Sequence, residues 1–217
     1  MLPILKEKVD NVLAQIGNEP QFLSRFMVQI MEFDEKIRNQ FAYDGGDAEN
    51  GWKGLSADIL DVWFGRWLQA EKGFAWKRFR EIIDSSESSF IDFDSADFGK
   101  TKSTHASQQV VDLYKLVTNQ YKNVPSNDYK MKFMIDIQAE ILDEYYKDLG
   151  DYLATYERFA STLTRIALGI SAEDREKVEG LKGLDRLCRV FCSADHIVSM
   201  CKDLNNDEVR LSDELSV

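Results

Sequence analysis

The chain has 217 residues, 38 of them acidic and 27 basic, for a formal net charge of −11. That balance opposes general binding to DNA, RNA or an anionic membrane surface. At 44% hydrophobic and 12% aromatic the chain can bury a sizeable core, yet no apolar run approaches the ~20 residues that span a bilayer.

Three cysteines, Cys188, Cys192 and Cys201, form a sparse, odd set, which fits a reducing compartment better than a disulfide framework. The start, MLPILKEKVDNVL, is charged within a few residues and does not read as a signal peptide. A cytoplasmic protein, held at any membrane by partners, is the expectation.

Apolar residues recur at spacings of three and four along every long segment, which predicts an all-α fold. Ile4 to Ile16 is a first amphipathic helix, with Leu5, Val9, Val12, Leu13 and Ile16 on one face and Pro3 in its opening turn. Gln21 to Tyr43 is a second, with Phe22, Phe26, Ile30, Phe33, Ile37 and Phe41 inward. Gly45 and Gly46 break it, and a polar loop runs to Gly54. Leu55 to Leu60 reads as a short helix capped by Ser56.

The central helix is 61–84. It carries three of the four tryptophans, Trp63, Trp67 and Trp76. Phe64, Trp67, Leu68, Phe74, Ala75, Phe79 and Ile82 mark its buried face, and Trp67 and Phe74 are expected to be buried together. Glu71 falls on the same stripe. A lone carboxylate there is costly, so pairing with an arginine or capping of a neighbouring turn is expected. A catalytic role needs a second acid, a base or a metal, and none is evident nearby.

A serine-rich, acidic stretch, Ser85 to Ser89, ends that helix, and a weakly patterned connection runs to Thr104. Such stretches are usually solvated loops and occasionally phosphorylation targets. Phe90, Ile91, Phe93 and Phe98 are placed to tether it. His105 to Lys122 forms the next helix, with Val110, Leu113, Leu116, Val117 and Tyr121 inward. A turn at Val124–Asp128, with Ser126 or Asn127 as N-cap, leads into a long helix from Tyr129 through Phe133, Ile137, Ile141 and Tyr145 to about Tyr156. Phe159 to Ile170 continues it or kinks away, and Ser171 to Gly183 carries a charged turn. The last helix, Leu184 to Leu204, points Leu187, Val190, Phe191, Ala194, Ile197, Val198 and Cys201 inward.

Two constellations tempt a metal reading, and geometry argues against both. Cys188, Cys192 and His196 share one helix face, but at 1.5 Å rise per residue the first and last stand roughly 12 Å apart, too far for ligands that sit ~2.0–2.3 Å from one zinc. Glu140, Asp143, Glu144 and Asp148 lack the Glu-x-x-His pairs of carboxylate-bundle sites. With no Gly-rich phosphate loop, nucleophile elbow or Cys/His dyad, the sequence points to no enzyme and to no cofactor.

The segment Phe64-Gly65-Arg66-Trp67-Leu68-Gln69-Ala70-Glu71-Lys72-Gly73-Phe74-Ala75 resembles the F-x-x-W-L-x-x-E-K-x-F-A segment of the Tip/RINT/Mag family. Tyr121-Lys122-Asn123-Val124-Pro125 resembles that family's R-Y-K-N-L-P-like turn. Lys130, Lys132, Phe133, Met134, Gln138, Ile141 and Leu142 follow its K-x-x-F-L-x-x-Q-x-x-L-like helix. Met31 to Asp34 matches an acidic-aromatic helix end more weakly, and Leu184 to Val198 parallels a later segment, after which Arg210 stands where an aromatic is expected. The matches cover most of the chain in the right order.

The resemblance implies a subunit of the Dsl-type (NRZ) vesicle-tethering complex, peripheral at the endoplasmic reticulum. It also implies a rod of helical bundles stacked end to end, with sister subunits and ER SNAREs as partners. The family's chains are longer, so this one is expected to be a fragment or a short relative. The expected division is a bundle over 1–93, a flexible connection over 94–103 and a second bundle over 104–217. The alternative reading is an unrelated helical regulatory domain that binds a small apolar ligand or a partner helix. A continuous aromatic-lined cavity favours that alternative, and a filled core favours the scaffold.

Overall fold

The computed structural model describes residues 2–45, 51–93, 101–161, 171, 172, 175 and 178–214, with side chains described as far as Leu204. Its helices are α1 (Leu2–Ile16), α2 (Pro20–Phe41), α3 (Leu55–Ile83), α4 (His105–Tyr121), α5 (Asn127–Phe133), a π-helical turn (Met134–Ala139), α6 (Glu140–Ala160) and α7 (Gly180–Glu214). The only β pairing among the described residues is a single bridge between Ile91 and Thr104. The fold is all-α, as the periodicity predicts.

Two compact units share the chain. Unit 1 takes residues 1–78 and 114–140, and unit 2 takes 79–113 and 141–217. Each half of the division expected from sequence therefore contributes to both units. Residues 94–100, most of the expected connection, lie outside the described residues, as do Phe98 and 162–170.

In unit 1, Pro20 stands in the first turn of α2, where its missing N–H is not needed. The buried face of α2 is Leu23, Met27, Ile30, Met31 and Asp34. Of the stripe expected inside, Ile30 is buried and Phe26 and Ile37 are half-buried, but the other phenylalanines are turned outward, with Phe22 61%, Phe33 40% and Phe41 73% exposed. Both stripes have helical spacing; aromatic bulk pointed to the wrong one. Among the described side chains of α1 only Leu13 is fully buried, and Val12 is exposed. Gly17 follows the end of α1 with the Trp63 ring against it: a Cβ there would meet Trp63 Cζ3 at 2.1 Å.

The short helix expected at 55–60 is the first part of α3, not a separate element. Ser56 does not cap it. The cap comes from Asp34, whose two carboxylate oxygens accept from the backbone N–H groups of Leu55 (2.9 Å) and Ser56 (2.8 Å). Asp34 is buried, and its charge faces the positive end of the α3 dipole. One turn further along α2, Arg38 donates to the carbonyls of Trp52 (3.1 Å) and Lys53 (2.9 Å). The chain reaches this grip through Gly54 at φ +93°, a conformation that suits glycine. A Cβ there would stand 2.3 Å from Asp34 Oδ2.

In unit 2, Phe79, Ile82, Val110, Ile141 and Tyr145 form the apolar interior. Thr104 begins α4: its Oγ1 accepts from the Ser107 N–H at 3.3 Å and lies 2.7 Å from Ser193 Oγ. Burial pushes the Tyr145 phenol up, against the pull of hydrogen bonds from Ser193, Thr104 and Ser107. On α7 the expected inward face is rotated. Ser193 and Met200 are buried, while Phe191, Val198 and Cys201 are exposed. Thr104, at the start of α4, is a small polar partner that draws Ser193 inward, and a hydrophobic count cannot register it. Leu116, also expected inward, is exposed on α4.

Candidate functional site

The residues singled out by sequence, from Phe64 to Ala75 and from Tyr121 to Gln138, all fall in unit 1. The centre of their arrangement is Phe133, fully buried at the end of α5. Its ring centroid lies 4.7 Å from Trp67, 5.9 Å from Phe64 and 5.1 Å from Tyr121. Phe64 also meets Trp67 edge-on at 6.3 Å and stacks on Tyr129 at 4.1 Å. These separations are those of packed aromatic pairs. Leu68 and Ala75 extend the buried side of α3.

Phe74 departs from expectation, at 36% exposed. The buried line on α3 runs Phe64, Leu68, Glu71, Ala75, Phe79 and Ile82. At 3.6 residues per turn Phe74 lies about 100° to one side of it. Trp67 lies nearly as far round, but Phe133 covers it.

Glu71 is buried, and it neither pairs with an arginine nor caps a turn. Its Oε1 accepts from Trp67 Nε1 at 2.9 Å and from Ser24 Oγ of α2. Burial pushes its carboxyl above the ordinary value of 4.5, while the bonds from Ser24 and Trp67 pull the other way. The folded chain thus keeps this proton to higher pH than the unfolded chain. The penalty is absent below about 4.5, grows as pH rises between the ordinary and the raised value, and is constant above. Glu71→Gln keeps the volume and an acceptor for both donors. It is expected to abolish that falling limb and to be at least as stable as wild type at neutral pH. Urea midpoints measured from pH 4 upward check this, and parallel pH curves for the two proteins would refute it.

Gln138 is the polar counterpart at the other end of the cluster. It is fully buried in the π-helical turn. Its Oε1 accepts from Tyr121 Oη at 2.6 Å, and its Nε2 donates to the Tyr114 carbonyl (3.0 Å) and Thr118 Oγ1 (2.7 Å). One acceptor and two donors are thereby satisfied from α4, as a buried amide requires. The π turn was not legible from residue spacing. It buries Ile137 and Gln138 side by side, with Phe133 and Ile141 also inside.

The remaining matched residues lie nearer solvent. Lys72 pairs with Glu140 at 2.7 Å. Lys122 and Pro125 are exposed and Asn123 half-buried in the turn, which is anchored by buried Val124. As expected, Ser126 Oγ caps α5 by accepting from the Tyr129 N–H. Asp34, Arg38, Ser24 and Thr118 are the contributors that sequence patterning missed. Each acts through a hydrogen bond to a segment distant in sequence, which no local period encodes.

The rings of the aromatic cluster pack on one another, and the described cavities of unit 1 lie elsewhere. Cavities of about 390 and 700 Å³ in unit 1 open beside Gly17 and Arg66 and beside Arg38 and Trp52, and neither is lined by Trp67 or Phe133. Among the described residues, no group of three or more His, Cys, Asp or Glu side chains is placed to hold a metal ion, and no helix is long and apolar enough to cross a membrane.

Fold and cluster together define a helical scaffold, whose marked residues hold helices to one another. The chain belongs to the RINT-1/TIP-1 family, whose family model matches residues 1–216. This is a family of non-enzymatic tethering scaffolds of ER–Golgi transport, associated with the endoplasmic reticulum and working in a complex with other subunits. No solved structure matches the chain.

Proposed function

We propose that this chain is a scaffold segment of a Dsl-type tethering subunit. It acts in retrograde, COPI-dependent Golgi-to-ER transport, at the cytoplasmic face of the endoplasmic reticulum, with sister subunits and ER SNAREs as partners. The observation that carries the reading is the convergence of the family-like segments. Phe64, Trp67 and Glu71 from one, and Tyr121, Phe133 and Gln138 from the others, build one packed and hydrogen-bonded interior. The packing of these rings on one another speaks against the alternative of a small apolar ligand.

Removing this chain from cells by deletion of its coding sequence tests the reading. Escape of ER residents to the Golgi and loss of sister subunits from the immunoprecipitate are the expected results. Normal retrieval with every partner retained would remove its support.

A further inference from the structure

The serine-rich turn of unit 2 has no part in the scaffold cluster, yet it is tied firmly to the start of α4. The carbonyls of Ser88 and Phe90 accept from the N–H groups of Ala106 (2.9 Å) and His105 (2.8 Å), amides that a helix cannot satisfy by itself. Ser89, between them, is exposed, and its own carbonyl accepts from Arg189 Nη1 at 2.7 Å. Arg186, one turn earlier on α7, lines the same 260 Å³ cavity as Ser88, Ser89 and Arg189. One guanidinium bonded to Ser89, a second in the same cavity that lies over the Tyr152 ring at 4.6 Å, and the positive end of a helix thus surround one exposed serine. Glu87 and Asp92 flank that serine, which suits a kinase with a basic peptide groove.

We propose that Ser89 is a phosphoacceptor and that its phosphate is received by Arg189 and Arg186 beside the α4 N-terminus. In the transfer, Ser89 Oγ attacks the γ-phosphorus of a nucleoside triphosphate held by a serine kinase. The Oγ–P bond forms, the bond to the β-phosphate oxygen breaks, the nucleoside diphosphate leaves, and the hydroxyl proton passes to the kinase's base. The product carries about −1.5 to −2 charges.

Asp148 is the carboxylate that lines the cavity, and Asp185 holds Arg189 Nε at 2.8 Å. The Asp148 carboxyl is pushed up by partial burial and by the neighbouring charges of Glu144 and Asp151. A phosphate here draws Arg189 away from Asp185. The inference needs unit 2 alone and goes beyond the tethering reading.

The test incubates the full chain with an acid-directed serine kinase and Mg·ATP. Intact mass and fragmentation should give one phosphate, on Ser89, lost in Ser89→Ala. Its ³¹P resonance should titrate below the ~6 of free phosphoserine. Melting should rise by roughly 2–4 °C. Arg186→Gln and Arg189→Gln should each accept the phosphate but move the titration back toward ~6 and reduce the rise in melting. Arg186 is exposed, so its variant keeps the fold intact should the other not. No incorporation, transfer to Ser85, Ser86 or Ser88 that survives Ser89→Ala, or a phosphate that titrates alike in wild type and the arginine variants would each overturn the proposal.

Discussion

Trp67→Ala is expected to lower folding stability by about 3–5 kcal/mol, one of the two largest effects of any single side chain in unit 1. Trp67 is 0% exposed and contributes in three ways. It fills the space between α3 and α5, its ring meets Phe133 at 4.7 Å, and its Nε1 donates to Glu71. Truncation opens a cavity and removes one of the two donors that satisfy the buried carboxyl, and both losses act in the same direction. Urea unfolding should show the midpoint fall with little change in slope. Trp67→Phe separates the two losses, since it retains most of the bulk and drops only the hydrogen bond. A Trp67→Ala protein that unfolds within 1 kcal/mol of wild type would mean that the aromatic cluster is not packed as described.

Asp34→Ala is the other, at roughly 2–6 kcal/mol, because it leaves two buried amides, those of Leu55 and Ser56, without acceptors at about 1–3 kcal/mol each. It also removes the charge that complements the α3 dipole. Gly54→Ala should be destabilising for a different reason, the left-handed backbone and the approach of Asp34 Oδ2. Hydrogen exchange gives the sharper readout. Asp34→Ala should raise exchange at Leu55 and Ser56 far more than at Phe79 or Ile82, at the other end of the same helix. Equal protection at both ends would show that the cap contributes nothing local.

The two expectations rest on features of unequal visibility in the sequence. Trp67 announces itself, since a large aromatic at helical spacing among other aromatics has few alternatives to burial. Its partner Phe133 was legible as a core residue but not as the partner, because spacing fixes a face and not what covers it. Asp34 was legible only as one acidic residue near a helix end. Its role depends on a helix that begins twenty-one residues later, and Ser56 stood nearer as the conventional cap. The outward turn of Phe22, Phe33 and Phe41 has the same cause. Two apolar stripes run along α2, and the thinner one, Leu23, Met27, Ile30 and Met31, is inside because Asp34 on the same face is anchored to α3. Glu71 shows the converse: its burial was visible in its register, while its donors, Ser24 and the neighbouring indole, were not.

The alternation of the two units along the chain has a consequence for synthesis. A ribosome releases residues 1–78 first, and that stretch contains Trp67, Leu68 and Glu71 without the ring of Phe133 or anything else from 114–140. Residues 79–113 appear next and belong to unit 2, whose remaining part starts only at Ile141. The nascent chain therefore holds two unfinished interiors at once, and the first is completed only after the second has begun. Intermediates of this kind expose apolar surface and invite chaperone binding. A chain truncated after residue 93 or 103 is left in the same half-made state, so expression of either sequential half alone should yield aggregation-prone material.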